Sequence, residues 1–220
     1  MAKYVVTGAN RGIGLGLCRR LHQHGHEVIA VCRRPSTELA NLGVTMIADI
    51  DITDQVQVDQ LAATLSGQQV DVLINNAGVW SDERIESLDA DSLIQAFAVN
   101  AVGPLRVTSA LLGCLTVGSK VAFISSRMGS IEDNTTGGRY GYRMSKAALN
   151  AAGRSLAIDL KSKGIAVALL HPGHVKTDMG GISAPCTVET SAAGILGVID
   201  QLTVEHSGQF WHQNGEKLPW

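Results

Sequence analysis

Short apolar runs alternate along this chain with longer stretches of helical period. The runs predict strands at Tyr4–Thr7, Glu27–Cys32, Val44–Ile50, Val70–Asn75, Lys120–Ser125 and Ile165–His171, with a weaker seventh at Gly208–Trp211. The first six are apolar almost throughout, which is typical of strands buried on both faces. The intervening stretches predict helices at Ile13–His24, Thr53–Leu65, Ala90–Leu112, Tyr142–Lys163 and Val188–Leu202. We therefore expect the α/β class, with a doubly wound (Rossmann) fold, a parallel sheet of about seven strands and helices on both faces.

The chain has 220 residues and no Pro/Gly/Ser-rich linker, so residues 1–220 are predicted to form one domain. Its 18 Lys and Arg against 20 Asp and Glu give a net charge of −2, too balanced for a nucleic-acid binder or a polybasic membrane anchor. No apolar run approaches the length of a membrane span. No metal site is expected, and the four cysteines are predicted to be reduced thiols in a cytoplasmic protein.

A glycine-rich turn follows the first strand. Gly8, Gly12 and Gly14 give the pattern Gly-x-x-x-Gly-x-Gly where the first helix opens. Glycines there let the backbone approach a pyrophosphate, and the helix N-terminus offers free N–H groups. Tight βα turns also use glycine, so the turn alone leaves a purely structural role open. The P-loop ending Lys-Ser/Thr is missing, which argues against a triphosphate.

Arg33 and Arg34 follow the second strand, where a dinucleotide fold meets the adenosine ribose. Arginine suits a ribose 2′-phosphate, whereas an acidic residue suits a bare 2′-hydroxyl. Arg11, in the glycine turn, can add to this charge. The alternative is a solvated basic pair after a strand.

Tyr142 and Lys146 are four residues apart at the start of a helix, so they share a helical face. A nearby ammonium favours the phenolate and eases proton transfer from a group whose ordinary pKa is about 10. Taken alone, this spacing is common in helices that merely pack.

Taken together, six ordered motifs make the chain resemble the short-chain dehydrogenases/reductases, nearest to the small carbonyl-reductase and C-factor-like branch. They are Thr7 with the glycine turn, Asn75-Asn76-Ala77-Gly78, Asn100, Ser125-Ser126, Tyr142 with Lys146, and Pro172-Gly173-x-Val175-x-Thr177.

The resemblance implies a catalytic set of four residues: Asn100, Ser126, Tyr142 and Lys146. Tyr142 would exchange the proton with the carbonyl oxygen, Ser126 would hydrogen-bond that oxygen, and Lys146 would hold the nicotinamide ribose. Asn100 would hold a relay water and interrupt the helix predicted at Ala90–Leu112. Ser125 would be structural. Thr7 and Asn75, at strand ends, would either be mainly structural or contact the cofactor directly.

The resemblance also implies NADP(H) as cofactor. Its contacts are expected at Gly8, Asn10, Arg11, Gly12, Ile13, Gly14, Arg33, Arg34, Asp51, Ile52, Asn75, Ala77, Gly78, Tyr142, Lys146, Pro172, Gly173, Val175 and Thr177.

Three irregular segments, near 79–90, 127–141 and 178–187, are expected to shape the site for a small carbonyl substrate. The interval from Ser126 to Tyr142 is longer than is usual in the family, and the segment after Thr177 is short, which favours an open site. Trp80 either walls the site or is an exposed loop aromatic. His171 is predicted to pack at a strand end, and His174 to lie near the nicotinamide.

These features predict an NADPH-dependent carbonyl reductase, expected to be a homodimer or homotetramer. The alternative is a dinucleotide-binding sensor of the C-factor type with little turnover. Enoyl-thioester reduction would require a tyrosine seven residues before Lys146, and Arg139 stands there.

Overall fold

All strands belong to one parallel sheet in the computed structural model, which describes residues 1–220. The strands are β1 (Lys3–Thr7), β2 (Glu27–Val31), β3 (Thr45–Ile47), β4 (Val70–Asn75), β5 (Leu115–Ile124), β6 (Ala166–His171) and β7 (Gln209–His212). Their order across the seven-stranded sheet is β3-β2-β1-β4-β5-β6-β7. The order reverses between β1 and β4, so a crevice forms where their carboxyl ends diverge. The predicted fold class and strand number are confirmed.

The third strand differs most from its prediction. Only Thr45–Ile47 of the predicted Val44–Ile50 pairs with β2, and none of its residues is buried. The expectation that this strand is buried on both faces is wrong. It lies at the edge of the sheet, where no further strand pairs with its outer side.

Helices cover both faces of the sheet. They are α1 (Gly12–Gln23), α2 (Thr37–Ala40), α3 (Gln55–Thr64), α4 (Ala90–Phe97), α5 (Gly103–Ala110), α6 (Tyr140–Asp159) and α7 (Val188–Gln201). Neighbouring residues of β1 show the two sides, since Val6 packs in a core with α1 and α7 while Val5 packs in another with α3, α5 and α6. This alternation follows from the two-residue period of a strand.

The predicted helix Ala90–Leu112 is broken. A π-helical segment, Ala98–Val102, separates α4 from α5 and contains Asn100. The expected interruption at Asn100 is therefore confirmed, and a π segment within a helix often marks a functional position. The short helix α2 was not predicted, although Ser36 caps it by accepting a hydrogen bond from the Leu39 N–H.

None of the helices is both long and apolar enough to cross a membrane. The four cysteines are free thiols, with Cys18, Cys32 and Cys114 buried. The cysteine prediction is confirmed.

Candidate active site

A cleft of about 1010 Å³ opens at the carboxyl ends of the central strands. The predicted cofactor residues that line it are Gly8, Asn10, Arg11, Gly12, Ile13, Arg33, Arg34, Asp51, Ile52, Ala77, Gly78, Tyr142, Lys146, Pro172 and Thr177. The glycine turn, the basic pair and the tyrosine helix therefore converge on one cavity. Its volume lies at the upper end of the range usual for small-molecule sites, which suits a long ligand.

The glycine turn leaves no room for side chains. Gly8 has a φ of 65°, and a Cβ there would lie 2.8 Å from the Cα of Ala77. A Cβ on Gly14 would collide with the Gly8 carbonyl oxygen. Arg11, the N-cap of α1, makes no side-chain cap hydrogen bond. The first N–H groups of α1 are thus available to an anion, and the cradle fits a pyrophosphate.

Two of the three arginines predicted to recognise the 2′-phosphate have acidic partners. Arg33 lies 3.6 Å from Asp51, and Arg11 donates to Asp178 across 2.6 Å. Arg34 has no ion pair. Hydrogen bonds from Thr53, with the nearby Arg33, outweigh burial and hold the pKa of Asp51 below its ordinary value. The carboxylate of Asp51 is therefore charged at neutral pH, and it partly offsets the positive charge of Arg33.

Tyr142 lies in the first turn of α6 and is buried. Burial raises the pKa of Tyr142, and a hydrogen bond with Ser126 acts in the opposite direction. Ser126 also accepts a hydrogen bond at Oγ from the Met128 N–H, at 3.2 Å. Ser125 instead donates its hydroxyl to Asn150 Oδ1 at 2.6 Å. Ser126, the second serine, is thus the one next to the phenol, whereas Ser125 is bound to Asn150 of α6.

Lys146 is held beside Tyr142 without a direct hydrogen bond to it. Its Nζ donates to the Ile124 carbonyl oxygen at 2.8 Å and lies 5.8 Å from the centroid of the Tyr142 ring. Burial lowers the pKa of Lys146 to about 8. The ammonium form still predominates at neutral pH and places a positive charge near the phenol.

Asn100 lies behind Gly78 and bridges two elements. Its Nδ2 donates to the Val79 carbonyl oxygen at 2.9 Å and to Ser145 Oγ at 3.0 Å, and its Oδ1 accepts from the Val79 N–H at 2.8 Å. A Cβ on Gly78 would lie 3.1 Å from Asn100 Oδ1 and 3.6 Å from Lys146 Nζ. Tyr142 and Lys146 therefore line the inner end of the cleft, whereas Asn100 and Ser126 lie next to this pair without lining the cleft.

Comparison with protein-family models decides the family. The short chain dehydrogenase model matches residues 3–184. This chain belongs to the short-chain dehydrogenase family. It is an oxidoreductase of that family.

Individual proteins of the family are similar along the whole chain or most of it. A 1-hydroxy-2-glutathionyl-2-methyl-3-butene dehydrogenase of Rhodococcus sp. (strain AD45) is 43% identical over 227 residues, covering 100% of both chains. The C-signal protein of Myxococcus xanthus is 51% identical over 156 residues, which are 69% of this chain and 93% of that protein. The solved structure of an NADPH-bound carbonyl reductase from chicken fatty liver superposes with a TM-score of 0.92 at 32% identity, covering 100% of this chain and 99% of the other.

Several predicted cofactor positions of this short-chain dehydrogenase support the cleft without lining it. They are Gly14, Asn75, Gly173 and Val175. Asn75 is buried and its Nδ2 donates to Thr108 Oγ1 at 3.0 Å. Its neighbour Asn76 lines the cleft and donates to the carbonyl oxygens of Thr7 and Gly8. Sequence reasoning missed Asn76, which the repeated asparagine and the strand period could have indicated.

Trp80 packs against the ring of Tyr142. Its ring centroid is 4.6 Å from that of Tyr142, with the planes at 44°, and the side chain is 40% exposed. Trp80 is thus an exposed loop aromatic that also packs against the phenol, and its role as a wall of the substrate site stays a prediction. The Arg139 guanidinium lies over the Trp80 ring, with its Cζ 5.6 Å from the ring centroid.

The two histidines near Pro172 have separate environments. His171 packs at the end of β6 with its ring centroid 5.1 Å from that of His212, and burial lowers its pKa to about 3. His174 makes a 2.8 Å hydrogen bond between Nε2 and the Gly180 carbonyl oxygen, in the loop after Thr177. The strand-end role predicted for His171 is confirmed, and neither ring lines the cleft.

Proposed function

We propose that the protein is an NADPH-dependent carbonyl reductase that converts ketones or aldehydes to alcohols, with Tyr142 as proton donor. The observation that carries the proposal is the buried pair of Tyr142 and Lys146, which lines a cleft shared with the glycine turn and has Ser126 next to the phenol. A sensor needs to bind the dinucleotide, but it has no need of a buried phenol beside an ammonium.

The residues that would hold the dinucleotide divide by chemistry. The free N–H groups at the start of α1, with Gly12, suit the pyrophosphate. Arg33, Arg34 and Arg11 suit the 2′-phosphate, and Asp51 and Ile52 flank the adenine. Lys146, Pro172 and Thr177 lie at the nicotinamide end. NADP in the similar carbonyl reductase supports this assignment.

The chain's own residues would perform the acid chemistry. Bound NADPH supplies the hydride for the carbonyl carbon. Ser126 donates a hydrogen bond to the substrate oxygen and orients it. Tyr142 gives its proton to that oxygen, which completes the alcohol, and the Lys146 charge stabilises the phenolate left behind. Asn100 holds the water that returns a proton toward Tyr142.

The substrate is proposed to be a small, uncharged carbonyl compound admitted between segments 79–90, 127–141 and 178–187. The last of these contains no helix, so it leaves the entrance open. The glutathionyl alcohol named for the Rhodococcus relative adds a second substrate class, in which the same residues would work in the oxidising direction.

Exposed Ile94 and Phe97 on α4, with Ile158 on α6, support assembly into a homodimer or homotetramer.

A dinucleotide-binding signalling protein is the second candidate. It is favoured by the C-signal relative, which is 51% identical over 156 residues. Such a protein would bind NADPH tightly but turn over slowly or not at all.

The experiment that separates the two candidates is oxidation of NADPH, and separately of NADH, against aryl ketones, diketones and aldehydes. We expect oxidation of NADPH well above that of NADH, and we expect Tyr142→Phe to abolish it. Reduction of NADP by thioether-substituted alcohols would identify the second substrate class. Tight NADPH binding with no turnover of any compound would favour the signalling candidate.

A further inference from the structure

A buried carboxylate outside the catalytic cluster joins the substrate loop to the helix that carries Tyr142. Glu83 is only 5% exposed, three residues after Trp80. Its Oε2 accepts hydrogen bonds from Ser81 Oγ at 2.7 Å and from the Gly141 N–H at 3.1 Å, and its Oε1 accepts from Ser92 Oγ at 2.7 Å. Burying a charge is costly unless hydrogen-bond donors satisfy it, and these three donors satisfy the carboxylate of Glu83.

Glu83 also supplies hydrogen-bond acceptors that the N-terminus of α6 lacks. Arg139, the N-cap, has a left-handed φ of 54° and makes no side-chain cap hydrogen bond. The Arg139 N–H donates to the Glu83 carbonyl oxygen at 2.8 Å, while Gly141 N–H reaches the carboxylate. A negative charge at a helix N-terminus is stabilising. Glu83 therefore caps α6 with both its backbone and its side chain.

The fit around the carboxylate depends on the missing side chain of Gly141. A Cβ there would collide with Ser81 Oγ and lie 3.2 Å from Glu83 Oε1. Burial raises the pKa of Glu83, but hydrogen bonds from Ser92, Ser81 and Gly141 outweigh it, so the pKa lies below the ordinary glutamate value. The group is thus an anion that binds the backbone immediately before Tyr142.

The hydrogen bonds of Glu83 to the start of α6 also bear on the position of Trp80, which borders the proposed substrate site. Trp80 and Glu83 belong to the same short segment, and Gly141 is adjacent to Tyr142. The carboxylate therefore sets the separation between the Trp80 ring and the phenol, 4.6 Å between centroids. A substrate carbonyl must enter beside this pair to receive the proton, and small misplacements of reacting groups reduce rates strongly.

We propose that Glu83 is a positioning residue for carbonyl reduction, which holds the Trp80 wall and the first turn of α6 in one arrangement. The proposal rests on the proposed function for its effect on rate, but not for its effect on Trp80. It does not make Glu83 a catalytic residue, because the side chain contacts neither the cleft nor the phenol.

Glu83→Gln is the first test, with Glu86→Gln as matched control because Glu86 is exposed in the same segment. A glutamine NH2 cannot accept the hydrogen bonds that one carboxylate oxygen now accepts. We expect kcat to fall roughly tenfold to a hundredfold in E83Q, with the NADPH Kd within about twofold of wild type. Unchanged kcat, or an equal loss of NADPH affinity, would overturn the proposal.

A second measurement does not depend on turnover. Trp211 and Trp220 are the other two of the three tryptophans, so a W211F/W220F background leaves Trp80 as the sole reporter. We expect E83Q in this background to increase acrylamide quenching of Trp80 by about twofold or more, and E86Q to leave it unchanged. Equal quenching in both variants would overturn the positioning role even if the protein reduces no carbonyl compound.

Ser92→Ala keeps the proposal testable if E83Q fails to fold. It removes one hydrogen bond from Oε1 and leaves the charge capping α6. The expected result is a smaller loss of kcat and a smaller rise in Trp80 quenching, in the same directions as E83Q. No change in either quantity would contradict the proposal.

Discussion

Lys146 donates its hydrogen bond to the Ile124 carbonyl oxygen at 2.8 Å, at the end of β5, and not to Tyr142. The strand thereby holds the ammonium at a fixed distance from the phenol, 5.8 Å from Nζ to the ring centroid. At this distance the lysine acts on the tyrosine through its charge. The Tyr142 hydroxyl is therefore not occupied by Lys146 and is available for the proposed substrate and for Ser126.

Replacing Tyr142 by Phe should separate chemistry from binding. The ring and its packing against Trp80 are retained, while the proposed proton donor is removed. We expect kcat to fall by about a hundredfold or more, with the NADPH Kd within about twofold of wild type. Steady-state oxidation of NADPH and fluorescence titration measure the two quantities. Tyr140→Phe, one residue from Gly141 but outside the cleft, is the matched control, and a catalytically competent Y142F would exclude Tyr142 as the acid.

Arg33 is expected to determine the choice between NADPH and NADH. Its removal takes away a charged hydrogen-bond donor for the 2′-phosphate, and a charged hydrogen bond contributes about 1.5–3 kcal/mol. Arg33→Asp should therefore shift the NADH/NADPH ratio of kcat/KM by roughly tenfold to a hundredfold toward NADH.

Arg33→Ala distinguishes loss of the arginine from gain of an acidic group close to Asp51, which now lies 3.6 Å from Arg33. Lys161→Asp changes the charge equally at a site outside the cleft and should leave the ratio unaltered. An unaltered ratio in the Arg33 variants would assign 2′-phosphate recognition elsewhere, with Arg34 the next candidate.

Local patterns predicted the parts of the site that depend on local geometry. The glycine turn requires glycine because Cβ atoms at Gly8 and Gly14 would meet neighbouring backbone, so the sequence itself records the close approach. Tyr142 and Lys146 share a face because the spacing matches one helical turn. The break at Asn100 was expected from the family resemblance, and the structure gives it a physical form in the π segment.

The contacts that sequence could not predict are made between segments distant in the chain. Asn75, the last residue of β4, bonds to Thr108 of α5, which is 33 residues away in sequence, and no local pattern marks this partner. Glu83 reaches the N-terminus of α6 across 58 residues of sequence, and no local pattern marks it as a cap. The edge position of β3 likewise follows from the order of strands, which the apolar pattern does not specify.

The exposed pair of Arg11 and Asp178 joins the glycine turn to the loop after Thr177. Its side chains are 65% and 78% exposed, so it contributes at most about 1 kcal/mol to stability. Asp178→Asn removes a negative charge at the cleft and releases Arg11 toward the anionic cofactor. We expect NADPH to bind a few times more tightly at low ionic strength, with the gain reduced at roughly 0.5 M salt.

Titration calorimetry at two salt concentrations checks this change in affinity. Asp159→Asn provides the control, because Asp159 is exposed at the end of α6 and makes no ion pair. Weaker NADPH binding by D178N would show the opposite role, in which the ion pair helps to close the loop over the cofactor.

The buried Lys146 should leave a signature in stability against pH. Burial lowers its pKa to about 8 in the folded protein, whereas an unfolded lysine has a pKa of about 10.4. Between these values the unfolded chain binds a proton that the folded protein does not. The free energy of unfolding therefore rises with pH across this window, at no more than about 1.4 kcal/mol per pH unit from this group.

Lys146→Met has no such proton, so the difference in unfolding free energy between wild type and K146M isolates the lysine. Burial raises the pKa of Cys18 to about 12, which lowers stability as the pH rises, but this effect is common to both proteins and cancels. Urea denaturation is measured without cofactor from pH 7 to about 9.5. This pH range stays below the ordinary pKa of tyrosine. We expect the free energy of unfolding of wild type to rise relative to that of K146M above pH 8. Lys163 is exposed in a short turn after α6, and Lys163→Met is the control, for which no such trend is expected. A difference that stays flat or falls would mean that Lys146 keeps its proton in the folded protein throughout this range, and that its charge is fully available to Tyr142.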